Sequence, residues 1–227
     1  MKTTITRFLM CCILFAVSFV TSFAADKLIL IGDAAPDGWA LNNSVAMLNQ
    51  GNDVWKVTVQ LKADEGFKFL TDTDFGSFQY RAGDSDVMLS DGVAATLYDS
   101  GENANDSKFQ VAEAGNYVIT CDLNAGTITV KKADYQDNEI VYAALWLVGD
   151  ATENGWDLGQ PVVLAQDASN PMVYTATADL KEGELQVVVN KFTSYNSDVY
   201  VSDATDATKA ILVNKDSDLK SATTRLT

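Results

Sequence analysis

The chain has 227 residues, 47% of them hydrophobic and only three of them proline, enough for one large or two small domains with a buried core. Its 31 Asp+Glu against 16 Lys+Arg give a formal charge of −15, which opposes nucleic acid or an anionic membrane as a partner but leaves an uncharged partner unhindered. With no histidine anywhere, Ser-His-Asp triads and Cys-His dyads are excluded.

Residues 1–24 read as a secretory signal. Lys2 and Arg7 open it, Leu9 to Val20 is an apolar run too short to span a bilayer, and Ser22-Phe23-Ala24 offers the small residues a signal peptidase reads. Cys11 and Cys12 lie inside that run rather than after small residues at its end, so a lipid anchor is not supported. The chain is therefore expected to be exported, to the outer membrane, the cell surface or the medium. Without Lys2 and Arg7 it carries 14 Lys+Arg against 31 Asp+Glu, a net charge of −17, and keeps one cysteine, Cys121. That excludes an intramolecular disulfide and zinc sites built on Cys or His.

Strand patterns follow in chain order. Lys27–Ile31 is apolar and closes on Gly32-Asp33; Val54–Leu61 alternates between two faces. Gly66–Leu70, Phe78–Arg81, Ala95–Tyr98 and Lys108–Val111 come at short intervals. Within Asn116–Val130, Tyr117, Ile119, Cys121 and Leu123 share one face of a hairpin turned at Asn124-Ala125-Gly126, which makes Cys121 a small core residue. Residues 133–141 are polar and read as a linker. The pattern then restarts: Ala144–Val148 matches the first strand, Met172–Leu180 matches Val54–Leu61, and Leu185–Val189 matches Phe67–Leu70. LILIGDAAPDGW (Leu28–Trp39) and LWLVGDATENGW (Leu145–Trp156) are identical at seven of twelve positions.

This organisation predicts an all-β chain: two tandem immunoglobulin-like β-sandwich modules at 25–132 and 142–227 after the signal peptide. The second lacks counterparts of Lys108–Val130 and is expected to be incomplete, with open edges. Trp55 and Trp146 alternate with apolar neighbours inside strands and are expected in the core or on a sheet face. Lys68 stands between Phe67 and Phe69, projects to the opposite face, and is expected to face solvent. Phe75, Phe78 and Tyr80 crowd one loop, so one exposed ring is expected there. The acidic runs Asp72–Asp74 and Asp84–Asp86 do not continue into a calcium loop, and no cofactor or metal is expected. No two carboxylates stand on conspicuous cleft-forming segments, and catalysis is not expected.

The order and spacing of these segments — Gly-Asp-Ala with a following Gly-Trp, Leu-Lys, GFKFL, FQYRA, then KFQVAEAGNYVITCDLNAGTITV — resemble the starch-binding modules of the SusE/SusF outer-membrane proteins of Gram-negative gut bacteria. The resemblance implies tandem β-sandwiches that bind an α-glucan polysaccharide or oligosaccharide without catalysis, in company with outer-membrane glycan-uptake proteins. It implies Trp39 and Trp156 as aromatic platforms, Lys68 as a basic contact, and Phe78 as a second ring with Tyr80 and Arg81 beside it. In the second copy Gln186 stands in the place of Lys68, with Lys191 and Tyr195 as the nearest substitutes. A pyranose presents a CH-rich face that packs on a ring, and hydroxyls that bond to charged groups. Two rings set at an angle would suit the arc of an α-1,4-glucan. Two other readings stay open: a structural or adhesion sandwich without a sugar site, and the leading modules of a larger glycoside hydrolase.

Overall fold

The computed structural model describes residues 25–101, 105–142, 144–167, 169–193 and 195–213; the expected signal segment, with Cys11 and Cys12, and residues 214–227 lie outside them. The fold is all-β, with two short 3-10 turns at Leu41–Asn43 and Lys191–Thr193.

The first unit is a sandwich. One antiparallel sheet runs β2 (Val45–Ala46), β1 (Ile29–Ile31), β5 (Lys68–Leu70), β6 (Gln79–Arg81) and β9 (Tyr98–Asp99). The other runs β3 (Leu48–Asn49), β4 (Val54–Leu61), β11 (Gly115–Asp122), β12 (Thr127–Lys132) and β8 (Ala94–Thr96). A parallel pair, β7 (Val87–Leu89) with β10 (Phe109–Val111), completes it. The alternation of Val54–Leu61 sends Trp55, Val57, Val59 and Leu61 inward, where they meet Tyr117, Ile119 and Cys121 of β11 and Leu30, Phe67, Phe69 and Phe109 from the other side. Trp55 and Cys121 are core residues as expected, and burial pushes the Cys121 thiol well up.

The repeated Gly-Asp motif is architecture, and its geometry is the same in both copies. Gly32 (φ 138°) and Gly149 (φ 139°) let the chain pass so close to the next strand that a Cβ would fall 2.2 Å from the Gly66 carbonyl oxygen and 2.0 Å from that of Glu184. No side chain fits. Each glycine N–H donates to the carbonyl six residues on, Gly32 to Gly38 at 3.0 Å and Gly149 to Gly155 at 2.8 Å. Each turn also receives a lysine N–H, Lys62 to Ala34 and Lys181 to Ala151, both at 3.0 Å.

The described residues of the second unit form one six-stranded antiparallel sheet. Its order is β15 (Tyr174–Thr175), β14 (Val162–Gln166), β13 (Ala144–Val148), β16 (Gln186–Val188), β17 (Val199–Asp203) and β18 (Asp206–Val213). The registers repeat: Val148 pairs with Gln186 as Ile31 pairs with Lys68, and Val187 with Tyr200 as Phe69 with Tyr80. The strand expected over Met172–Leu180 is a correction. Only Tyr174–Thr175 pairs, and Leu180 is 53% exposed. The inward Val57, Val59 and Leu61 of β4 have no equivalent in Thr-Ala-Thr-Ala-Asp, whose small side chains bury too little to hold a second layer.

The units share a core and a fixed connection. Trp146, Val148, Val188, Val199 and Val201 pack with Ala46 and Leu48 of the first unit. Fully buried Asn190 donates its Nδ2 to the Ser44 carbonyl oxygen (3.1 Å) and hydroxyl (3.2 Å), and the Asp198 N–H donates to Asn43 Oδ1 at 3.0 Å. The polar segment 133–141 is docked on β11. Asn116 donates Nδ2 to the carbonyls of Tyr135 (3.2 Å) and Asn138 (2.6 Å) and accepts the Ile140 N–H at 3.1 Å. Ile140 is fully buried.

Candidate functional site

The site lies on the outer face of the β1–β5–β6 sheet, under the turn that ends in Trp39. Phe67, just before β5, and Phe69 within it send their rings into the core, and Lys68 points outward as parity requires. It does not face solvent. Residues around Trp39 and Asp106 cover it, and Lys68 is only 5% exposed. A buried ammonium needs partners, and Lys68 has two: Asp106 Oδ1 at 2.5 Å and the Trp39 ring, 5.5 Å from Nζ to centroid. Lys108 Nζ lies 5.9 Å from the same ring and donates to the Asp106 carbonyl at 2.7 Å. The Lys68 hydrogen bond, first among the causes, holds the Asp106 carboxyl below its usual range. Lys68 thus holds the tryptophan and the Asp106 carboxylate; its burial corrects the expectation that it faces solvent.

The second ring is Phe75. Asp74 caps its turn, accepting the Gly76 N–H at 2.9 Å, and leaves Phe75 47% exposed. Its ring stands 6.3 Å from half-buried Trp39 at an interplanar angle of 47°. Gln79 donates Nε2 to the Phe75 carbonyl at 2.7 Å and accepts both Nε and Nη2 of Arg81 on one oxygen, at 3.1 and 2.9 Å. Arg81 Nη1 donates to the Asn105 carbonyl at 2.9 Å. A continuous polar chain therefore joins the Phe75 turn, Arg81 and the Asn105–Lys108 segment around Trp39.

Phe78 and Tyr80 go elsewhere. Phe78 packs on the core with its ring 5.6 Å from Tyr80, edge to face. Tyr80 pairs with Phe69 and is 7% exposed; burial, then the charge of Asp99, pushes its phenol up to about 12. Phe78, expected as the second ring, is partly buried against the core, and Tyr80, expected beside it, is buried. Phe75, Asp106 and Lys108 were not among the expected site residues; Phe75 was legible only as one of the crowded aromatics, through its Asp-Phe-Gly-Ser turn.

The second copy does not assemble the same site. The Trp156 indole donates to Asp150 Oδ1 at 2.9 Å, the Tyr195 hydroxyl donates to the Trp156 carbonyl, and both rings pack against the shared core. Lys191 lies 5.2 Å from the Phe192 ring, which Lys27 approaches at 5.1 Å. Burial, then the Lys27 charge, lowers the Lys191 pKa. Gln186, at the place of Lys68, is buried. Trp146 is in the core as expected. Among the described residues no three metal-ligating side chains cluster; Asp72 pairs with Lys27 at 2.7 Å.

Among solved structures, the chain is similar to SusF from Bacteroides thetaiotaomicron, at 18% sequence identity and a TM-score of 0.30, over 84% of this chain and 44% of that one. No protein-family model matches the chain, and no curated protein does. The chain spans less than half the length of the SusF chain it matches.

Proposed function

We propose that the chain is a non-catalytic glycan-binding protein of the cell envelope that holds an α-glucan on the Trp39–Phe75 face for partner uptake proteins. The observation that carries this reading is the ring pair itself. Two aromatic rings 6.3 Å apart and tilted by 47° offer adjacent apolar facets to a curved chain of pyranoses. Ammonium groups on Lys68 and Lys108 fix the position of the indole, so little side-chain entropy is lost on binding. Arg81, on the same sheet face, is the candidate donor to sugar hydroxyls. The second copy, whose tryptophan belongs to the shared core, acts as support.

The test is affinity electrophoresis in gels containing amylopectin. The wild-type chain should be retarded. Trp39→Ala and Phe75→Ala should each weaken retention about tenfold or more, some 1.4 kcal/mol, while the thermal midpoint moves little. Unretarded migration of the wild type would overturn the reading.

A further inference from the structure

We infer that the cleft between the two units, on the opposite sheet of the sandwich from Trp39, is a second ligand site, for a neutral polyhydroxylated ring such as a sugar. It has a volume of 590 Å³, inside the range of small-molecule sites. Its floor is the outer face of β4 and β11, where Lys56, Thr58 and Val118 stand. One wall is the docked connection with Asp134 and Tyr135; the other is made by Gln166, Asp167, Ser169 and Pro171 of the second unit.

Both walls are preformed. Asn116 grips the Tyr135 carbonyl, and Asn138 Nδ2 donates to the Tyr135 hydroxyl at 3.2 Å, which fixes the ring. On the far side Gln166 Nε2 reaches the carbonyls of Thr58 (3.3 Å), Tyr142 (2.6 Å) and Pro171 (3.3 Å). Asp167 accepts from the Ser169 N–H at 2.8 Å and the Asn170 N–H at 3.0 Å. A site with rigid walls loses little freedom when it fills.

The chemistry of the lining selects the ligand class. The cleft is lined by one ammonium, Lys56, and two carboxylates, Asp134 and Asp167, so a phosphate or other anion is disfavoured. Lys56 is exposed on β4 and can offer its ammonium to a hydroxyl. The lining mixes Leu48, Val118, Ala165 and Pro171 with a lysine, two acids and two amides, which is too polar for a lipid tail. A phenol ring, a hydroxyl, an amide and an ammonium around a shallow floor match a pyranose, which wants one stacking face and several directional partners.

This inference rests on the preceding reading only for the choice of probe. Titrating maltoheptaose and, separately, cellohexaose by calorimetry should give two sites on the wild-type chain for one of them and one site on Trp39→Ala. Adding Tyr135→Ala, or Thr58→Trp to fill the floor, to the Trp39→Ala chain should lower the remaining affinity at least tenfold, with the thermal midpoint confirming the fold. If Trp39→Ala abolishes all binding, the cleft inference falls and the Trp39 site stands. If Tyr135→Ala and Thr58→Trp abolish binding while Trp39→Ala does not weaken it, the cleft stands and the Trp39 site falls. If neither cleft change affects the Trp39→Ala chain, or neither sugar binds the wild type, the cleft is overturned.

Discussion

Removing the two ends of the Lys68–Asp106 pair should have unequal consequences, because the pair straddles the boundary of the fold. The Lys68 side chain is 6% exposed and that of Asp106 is 61% exposed. Lys68→Met replaces a buried ammonium with an apolar chain of similar length. The carboxylate it leaves is wet and still has Lys108 at 3.4 Å. The lost ion pair and ring contact, together about 1–2 kcal/mol, are offset by no longer burying a charge, so the net change is about 1 kcal/mol or less. Asp106→Ala instead strands the ammonium between a ring and the like charge of Lys108. Breaking a fully buried pair costs about 3–5 kcal/mol; with water already covering much of Asp106, about 1–2 kcal/mol is expected. Urea unfolding at pH 7 of the wild type, both single variants and the double variant measures this. The double variant should recover most of the Asp106→Ala loss. The same pair sets a pH dependence. The Asp106 carboxyl is held below its ordinary 3.8, so its contribution is complete above about pH 4 and fades as the pH falls through the lowered value; Lys68→Met should flatten that slope. A Lys68→Met loss equal to or larger than that of Asp106→Ala would refute the reasoning.

Asn116→Ala removes three side-chain hydrogen bonds and leaves the Ile140 N–H buried without a partner. A loss of about 3 kcal/mol in urea unfolding is expected, with faster hydrogen exchange in residues 135–140; a loss under about 1 kcal/mol would show that the docking is incidental. Gly149→Ala drives a Cβ to within 2.0 Å of a backbone oxygen, whereas Gly38→Ala, at φ 57°, meets nothing within 4 Å. The first should cost about 3 kcal/mol or more and the second about 1 kcal/mol; equal thermal shifts would refute this.

Much of the fold is legible because strands and repeats write themselves locally. The alternation of Val54–Leu61 and Tyr117–Leu123 places Trp55 and Cys121 inward, and the repeated Gly-Asp turns serve identical close approaches. The candidate site is less legible because parity tells which way a side chain points and not what lies over it. Lys68 does point away from Phe67 and Phe69, yet the turn carrying Trp39 and the segment carrying Asp106 come from 29 residues before and 38 after to enclose it. The same gap hides which of the three crowded rings, Phe75, Phe78 or Tyr80, is the exposed one. Tyr80 pairs with Phe69 and so must enter the core, while the exposed ring, Phe75, owes its exposure to a cap by Asp74. Trp156 has the same local words as Trp39 but meets Asp150 and the shared core where Trp39 meets lysines.

The docked connection between the units bears on how this protein would carry a load. A free segment of nine residues, 133–141, could lengthen by up to about 30 Å before going taut, and two units so joined would swing like beads on a thread. Here the Asn116 side chain, the buried Ile140 and the Asn190–Ser44 contact hold the slack against the protein surface. A polymer tugging on the Trp39 face would therefore move both units together as one stiff lever. Extension would begin only at a force that strips the segment from β11, a rupture step that a stretched single molecule would show as a discrete jump in length.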